Sequence, residues 1–297
     1  MGEGHPASRR RRRGTRAVAA RVVARVTGPR RIVSLVPSDT YTLARLGLGE
    51  RLVGRTEYCV APRQILGVPT IGGTKNADVD AILALEPELV VANQEENRRA
   101  DIERLEAAGV KVFLSFPCTV AEGLAHVRAL AALFPELELE PLLEEAEARL
   151  ARHAAAERGD GLPTFFPIWM DPLMTANSGA FLSDVLELSG GRNVFADRAR
   201  RYPLRADLGL RPAVSAPGRD TRYPRVTLDE VDARRPRLVL LPDEPHEFSP
   251  SDAAVFEALA CRPEVRFVDG KAFMWYGLRA LEALDEVAAL IEAVRST

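Results

Sequence analysis

Cysteine is scarce in this chain: three among 297 residues, at Cys59, Cys118 and Cys261. Thiols so few and so scattered supply neither a disulfide framework nor a zinc site. Histidine is almost as rare, with His5, His126, His153 and His246 dispersed, so Cys59 and Cys118 lack an evident base for nucleophilic catalysis. Long apolar runs are missing too, and nothing approaches the roughly 18 residues of a membrane-spanning helix. A marked excess of one charge is missing as well: 40 Lys and Arg against 42 Asp and Glu leave a net −2, which gives no reason to expect a nucleic-acid partner. Catalytic signatures are equally thin. The segment Gly67-Val-Pro-Thr-Ile-Gly-Gly-Thr74 has the outline of a phosphate loop, but Gly73 stands where that loop needs lysine. No Gly-x-Gly-x-x-Gly follows the first strand, and there is no Gly-x-Ser-x-Gly elbow. The chain does not read as an enzyme; an α/β enzyme of unknown activity is the rival.

What the sequence does contain is a statement made twice. Asp80-Ala-Ile-Leu-Ala-Leu-Glu-Pro-Glu-Leu-Val-Val91 returns as Asp229-Glu-Val-Asp-Ala-Arg-Arg-Pro-Arg-Leu-Val-Leu240, at an offset of 149 residues. Upstream, the stretch from Leu43 to Val53 is echoed by that from Val185 to Phe195 at an offset of 142. Each half reads as a short helix, a glycine turn, a strand, an acid-led helix, a proline turn and a buried strand. Strands alternating with helices predict parallel βαβ units. The fold class is therefore α/β, in two Rossmann-like lobes, and a cleft between lobes is a favoured place for a small ligand.

The expected division is a basic, disordered segment over 1–30, an N-terminal lobe over 31–137, a connecting helix over 138–161 and a C-terminal lobe over 162–297. In the first lobe, apolar patterning places strands at 32–36, 52–55, 88–92 and 111–116, and helices at 40–46, 78–85, 98–108 and 119–133. A long helix follows over 138–158, with Pro141 in its first turn and Leu139, Leu142, Leu143, Ala146, Leu150 and His153 along one stripe. A helix of about 20 residues reaches roughly 30 Å, enough to join the lobes. The second lobe opens with a strand over 164–169, carries a Pro-, Arg- and Gly-rich surface excursion over 198–224, and closes with an amphipathic helix over 280–294 that packs back on the lobe.

Several of these segments, in this order, carry a resemblance: Ile32-Val-Ser-Leu-Val-Pro-Ser38, Gly54-Arg-Thr-Glu-Tyr58, Gly72-Gly-Thr-Lys-Asn76, the Asp80 helix and Gly190-Gly-Arg-Asn193. From about residue 30 onward the chain resembles the helical-backbone metal-chelate receptors, the substrate-binding proteins of cobalamin and iron-siderophore ABC importers. The resemblance implies two α/β lobes bridged by one long helix, a corrinoid or ferric chelate held between them, little domain closure, and no cofactor. It implies a monomer that meets the importer's membrane subunits through one acid on each lobe, here Asp80 and Asp229. An Asp in the first turn of a helix is favoured by the helix dipole in any case. Tyr58 matches a ligand-stacking tyrosine, Tyr223 lies near a second-lobe aromatic, and Met274-Trp275-Tyr276 occupies a loop over the ligand. Trp169 ends a predicted strand, and Arg279 is placed to meet an anionic chelate. Cobalamin-binding relatives carry tryptophans in the loops that here read Ile71-Gly-Gly-Thr-Lys75 and Ala92-Asn-Gln-Glu-Glu-Asn97. In the second loop Asn93, Gln94, Glu95 and Asn97 either bond a polar ligand edge or cap the next helix.

Two further readings compete. A receptor for free zinc or manganese would draw on Asp243-Glu-Pro-His246-Glu247, the single cluster of suitable ligand types. A cytoplasmic corrinoid-binding protein would use the same cleft without an importer. The resemblance implies the periplasmic or extracellular side. The arginine run over 9–13 and the stretch over 17–26 have the basic start of an export signal, but Arg21 and Arg25 interrupt its apolar part. That segment reads as a disordered basic tail or a misplaced start, with a twin-arginine signal as the alternative.

Overall fold

The computed structural model describes residues 1–2, 27–157 and 159–297. The basic segment over 9–26 and Arg158, near the expected end of the connector, lie outside the described residues. The chain runs through β1 (Ile32–Ser34), α1 (Pro37–Arg45), β2 (Leu52–Arg55), α2 (Val79–Ala84), β3 (Leu89–Asn93), α3 (Arg99–Ala107), β4 (Val112–Ser115) and α4 (Val120–Ala131). After α5 (Glu140–Ala155) come β5 (Leu162–Phe165), β6 (Pro167–Met170), β7 (Leu173–Thr175), α6 (Phe181–Leu188), β8 (Gly191–Asn193) and α7 (Leu204–Asp207). The remainder is α8 (Leu228–Arg234), β9 (Leu238–Pro242), α9 (Pro250–Glu257), β10 (Glu264–Val268), α10 (Lys271–Met274) and α11 (Leu278–Arg295).

Two four-stranded parallel sheets result, ordered β2-β1-β3-β4 and, read from the other end, β8-β5-β9-β10. The two orders correspond strand for strand. The central strands β3 and β9 are buried along their whole length, as expected for parallel sheets covered on both faces. Local chemistry repeats with topology. Asp78 caps α2 by accepting from the Ala81 N–H, and Thr227 caps α8 by accepting from the Glu230 N–H. Each helix is then stopped by a positive-φ residue directly before a proline: Glu86 (φ 47°) before Pro87 and Arg235 (φ 51°) before Pro236. Proline crowds its predecessor out of the right-handed helical region, so the helix cannot continue.

The connector α5 is shorter than its apolar stripe suggests. Leu139 is the N-cap, Pro141 sits in the first turn, and Ala156 is already extended. Its 16 residues span about 24 Å. Arg128 of α4 pairs with Glu147 at one side; on the other, Arg149 Nε and His153 Nε2 reach Asp285 of α11 at 3.1 and 2.8 Å.

Three expectations need correction. The final helix does more than pack on its own lobe: Glu282 of α11 accepts from Tyr41 Oη (2.6 Å) and Arg45 Nε (2.7 Å) of α1. Gly277 makes this approach possible, because it holds φ 84° and a Cβ there would meet Thr42 Oγ1 at 2.8 Å. Leu43, Val127 and Leu130 consequently share one apolar core with Leu281, Leu284 and Val287. The strand expected over 164–169 is broken at buried Phe166; β5 stays in the sheet while β6 leaves to form an antiparallel hairpin with β7. The segment over 198–224 is rooted in the interior rather than draped over it. Arg198 and Asp207 are both buried and paired at 3.1 Å, with Glu230 on the same guanidinium at 2.9 Å.

Candidate ligand cleft

Two adjoining pockets of about 420 and 480 Å³ open where the lobes face each other, and both are lined by Glu96, Pro245 and Met274. Their walls are built from strand ends: Tyr58 follows β2, Asn93 ends β3, Pro117 follows β4, and Glu244 follows β9. Carboxyl ends of parallel strands are where open α/β sheets leave room for ligands. A groove of about 520 Å³ beside α4 and α5 is lined by those helices and the turn between them, with no residue from these strand ends.

Under the cleft lies a buried polar network that joins the lobes. Asp39, at the start of α1, is wholly buried. Its Oδ1 meets His126 Nε2 of α4 at 2.5 Å, and its Oδ2 accepts from Tyr276 Oη at 3.0 Å. Tyr276 Oη also lies 2.9 Å from Ser115 Oγ, which in turn accepts from Asn93 Nδ2 at 3.3 Å. Burial, then the charge of Asp39, pushes the Tyr276 phenol well above its ordinary range. Burial pulls His126 down, but the charge and hydrogen bond of Asp39 outweigh it and leave the imidazole raised. Above this floor sits Glu96. Enclosure by protein, then the nearby charges of Asp39 and Glu95, drives its carboxyl up to about 8, against some relief from Lys75. Its side chain has no hydrogen-bond or ion-pair partner among the described residues.

The structure distributes the sequence-derived residues unevenly. Tyr58 lines one pocket and is 56% exposed, so its ring is free to lie against a ligand. Tyr223 and Tyr276 line the other. Trp275 reaches the cleft wall but is only 4% exposed; its indole donates to Glu244 Oε1 at 2.5 Å, and its ring meets Tyr41 edge-on. Trp169 does not line either pocket. Successive strand residues point to opposite faces, so Ile168 takes the cleft side while Trp169 packs on His246 and donates to the Asp171 carbonyl. Arg279 is likewise off the lining, held by Asp269 at 2.7 Å. Asp80 and Asp229 are exposed, each the second residue of its helix, α2 or α8, and Asp80 pairs with Arg104.

The polar loop after β3 shapes itself. Asn97 Oδ1 accepts from the Asn93 N–H, Asn93 Oδ1 accepts from the Glu95 and Glu96 N–H groups, and Asn97 Nδ2 donates to the Leu35 and Thr74 carbonyls. This bonding turns Glu96 into the cleft. Glu95 reaches across the gap instead, meeting Arg222 of the second lobe at 3.1 Å. Arg222 also lies over the rings of Phe116 and Tyr223. The candidate metal ligands near position 245 have other partners. Asp243 meets Lys271 (3.1 Å), Glu244 meets Trp275, and His246 packs between Trp169 and Phe248. Among the described residues no three His, Cys, Asp or Glu gather to hold a metal ion.

Sequence reasoning missed Glu96 and Asp39. A Glu-Glu pair in a polar loop looks hydrated, and an Asp after Pro-Ser looks like a cap. The available signal was that both sit at predicted strand ends, where lobes of this class face each other.

Comparison with known proteins decides the family. The model described as "Periplasmic binding protein" matches residues 32–240. This chain belongs to the periplasmic binding protein family. Among curated relatives, a protein named vitamin B12-binding protein from Photorhabdus laumondii is 30% identical over 59% of the chain and 64% of its own length. A protein of the same name from Yersinia pestis (strain Pestoides F) is 26% identical over 76% of the chain and 75% of its own length. The chain thus spans somewhat less than two thirds of the first relative. Two solved structures share the fold: the periplasmic vitamin B12-binding protein BtuF of Vibrio cholerae (TM-score 0.70, 20% identity, 91% of this chain, 99% of that one) and the periplasmic heme-binding protein RhuT from Roseiflexus sp. RS-1 (TM-score 0.69, 21% identity, 90% and 99%). The family is one of binding proteins, in keeping with the reading against an enzyme.

Proposed function

We propose that this chain captures a bulky metal chelate, of corrinoid or iron-chelate type, in the inter-lobe cleft and presents it to an ABC importer on the outer side of the cytoplasmic membrane. The observation that carries this reading is the cleft itself: two contiguous pockets of about 420 and 480 Å³ walled by Tyr58, Tyr223, Met274 and Phe181. Together they stand at the upper end of the range for small-molecule sites, and their mixture of exposed ring and apolar wall suits a large flat ligand. Family membership and the names of the relatives support the same ligand class. Asp80 and Asp229, exposed at equivalent places on two equivalent helices, are the proposed contacts with the importer's membrane subunits. The test is spectrophotometric titration of the purified protein with aquocobalamin, cobinamide, haem and ferric siderophores. A saturable change in the absorption spectrum with at least one is expected; silence across the panel rejects the proposal.

A further inference from the structure

The acidic groups around the cleft are not equivalent. Asp39 is held by His126 and Tyr276, Glu95 by Arg222, and Glu244 by the Trp275 indole with Lys271 at 3.7 Å. Glu96 is enclosed as well, lines both pockets, and has no such partner among the described residues. Glu96 is half-buried rather than sealed from water, and a ligand that closes over it and supplies a hydrogen-bond partner replaces the water it would otherwise lose.

Resting on the chelate-binding reading above, we infer that Glu96 is the specificity-determining residue of the cleft, accepting a primary carboxamide on the rim of the chelate and disfavouring a carboxylate at the same place. The chemistry is asymmetric. A carboxamide offers an N–H donor and a carbonyl acceptor side by side. Ionised Glu96 accepts from the N–H; protonated Glu96 accepts from the N–H through its carbonyl oxygen while its O–H donates to the amide oxygen. An amide therefore satisfies both forms. A carboxylate offers acceptors alone, so it fits only when Glu96 carries a proton, and its binding must be linked to that proton. Both forms are accessible near neutrality because the carboxyl is pushed up to about 8. The groups facing it are Asp39 from α1, Glu95 from its own loop, Lys75 from the loop before α2, Glu244 from the loop after β9, and Tyr276 after α10. Of the charged ones, Lys75 alone favours the ionised form. Arg200 lines the same pocket with its Nε unpartnered among the described residues, so an acidic ligand edge has a place on that wall, and the discrimination concerns the edge that meets Glu96.

The test keeps the ring constant and changes its rim. Dicyanocobinamide, whose rim is amides, and cobyrinic acid, whose rim is carboxylates, are titrated into wild type and Glu96→Gln from about pH 6 to about pH 9.5. Wild type is expected to hold the amide ligand with little pH dependence. The carboxylate ligand should bind at least about tenfold more weakly above the Glu96 pKa, its affinity falling about tenfold per pH unit there. Glu96→Gln keeps a donor and an acceptor but no titrating proton, so this slope should vanish while the amide ligand still binds. Equal affinities for the two ligands across the range in wild type, or an unchanged slope in Glu96→Gln, overturn the assignment. The wild-type comparison decides the matter even if the variant folds poorly. Absence of binding by both ligands at every pH overturns this inference, while the chelate reading falls with it only if haem and the ferric siderophores of the earlier titration are silent as well.

Discussion

Asp39 in the first lobe and Tyr276 in the second are joined by a hydrogen bond of 3.0 Å directly beneath the cleft. The carboxylate's other oxygen faces His126, and the phenol's second partner is Ser115. Replacing Tyr276 by Phe keeps the ring but removes the hydroxyl, leaving Asp39 and Ser115 short of a partner in a buried site. The expected loss is about 1–3 kcal/mol in stability, read from urea unfolding. A change within about 0.5 kcal/mol would show that the network does not hold the lobes together.

The same network sets a pH dependence. His126 has a folded-state pKa above its ordinary value, because Asp39 outweighs the opposing effect of burial. The pair's contribution is then complete below the unfolded value of about 6.5 and is lost as pH rises through the higher folded value. Stability should decline as pH rises above about 6.5. In His126→Gln that part of the slope should disappear, and removing one partner of a buried pair should cost about 3–5 kcal/mol. Melting temperatures of both proteins across this pH range provide the check.

Tyr58 and Trp275 should behave differently despite sharing a pocket. Tyr58 is 56% exposed and touches little of the core, so Tyr58→Ala should leave the melting temperature unchanged and weaken the ligand by roughly 1–3 kcal/mol. Trp275 is buried and positions Glu244. Trp275→Ala should therefore cost about 3–5 kcal/mol in stability before any effect on affinity. Parallel melts and titrations distinguish the two, and an unaltered affinity in Tyr58→Ala removes that ring from the site.

Asp80→Asn and Asp229→Asn should bind ligand like wild type, since both residues are exposed and outside the pockets. Loss of a first-turn charge costs about 0.3–1 kcal/mol at most on an exposed helix. If these carboxylates dock on the importer, uptake of labelled corrinoid by the native cells should fall in each variant and further in the pair. Normal uptake in the double variant would reduce them to helix-terminal charges.

The duplicated plan was legible because it rests on local chemistry. Pro87 and Pro236 are recognisable stops, β3 and β9 are unbroken apolar runs, and the acid lead of both helices was visible, although the caps themselves are Asp78 and Thr227. The cleft was legible in outline, through Tyr58, Tyr223 and Tyr276. What escaped depends on contacts between distant segments. That Asp269 would claim Arg279, that Ile168 rather than Trp169 would line the cleft, and that Asn93 and Asn97 would turn Glu96 inward are outcomes of packing. None has a signature within its own stretch of chain. The break at Phe166 belongs with them, since an apolar run gives no sign of where it changes sheet.

The reach of α11 to α1 has a thermodynamic consequence. Two sheets suggest two melting units, yet the apolar interior passes from one into the other without a seam. Calorimetry should show a single endotherm rather than a pair, and a fragment ending after the connector would expose Leu43, Val127 and Leu130 to solvent. The halves repeat one plan, but neither is built to stand alone.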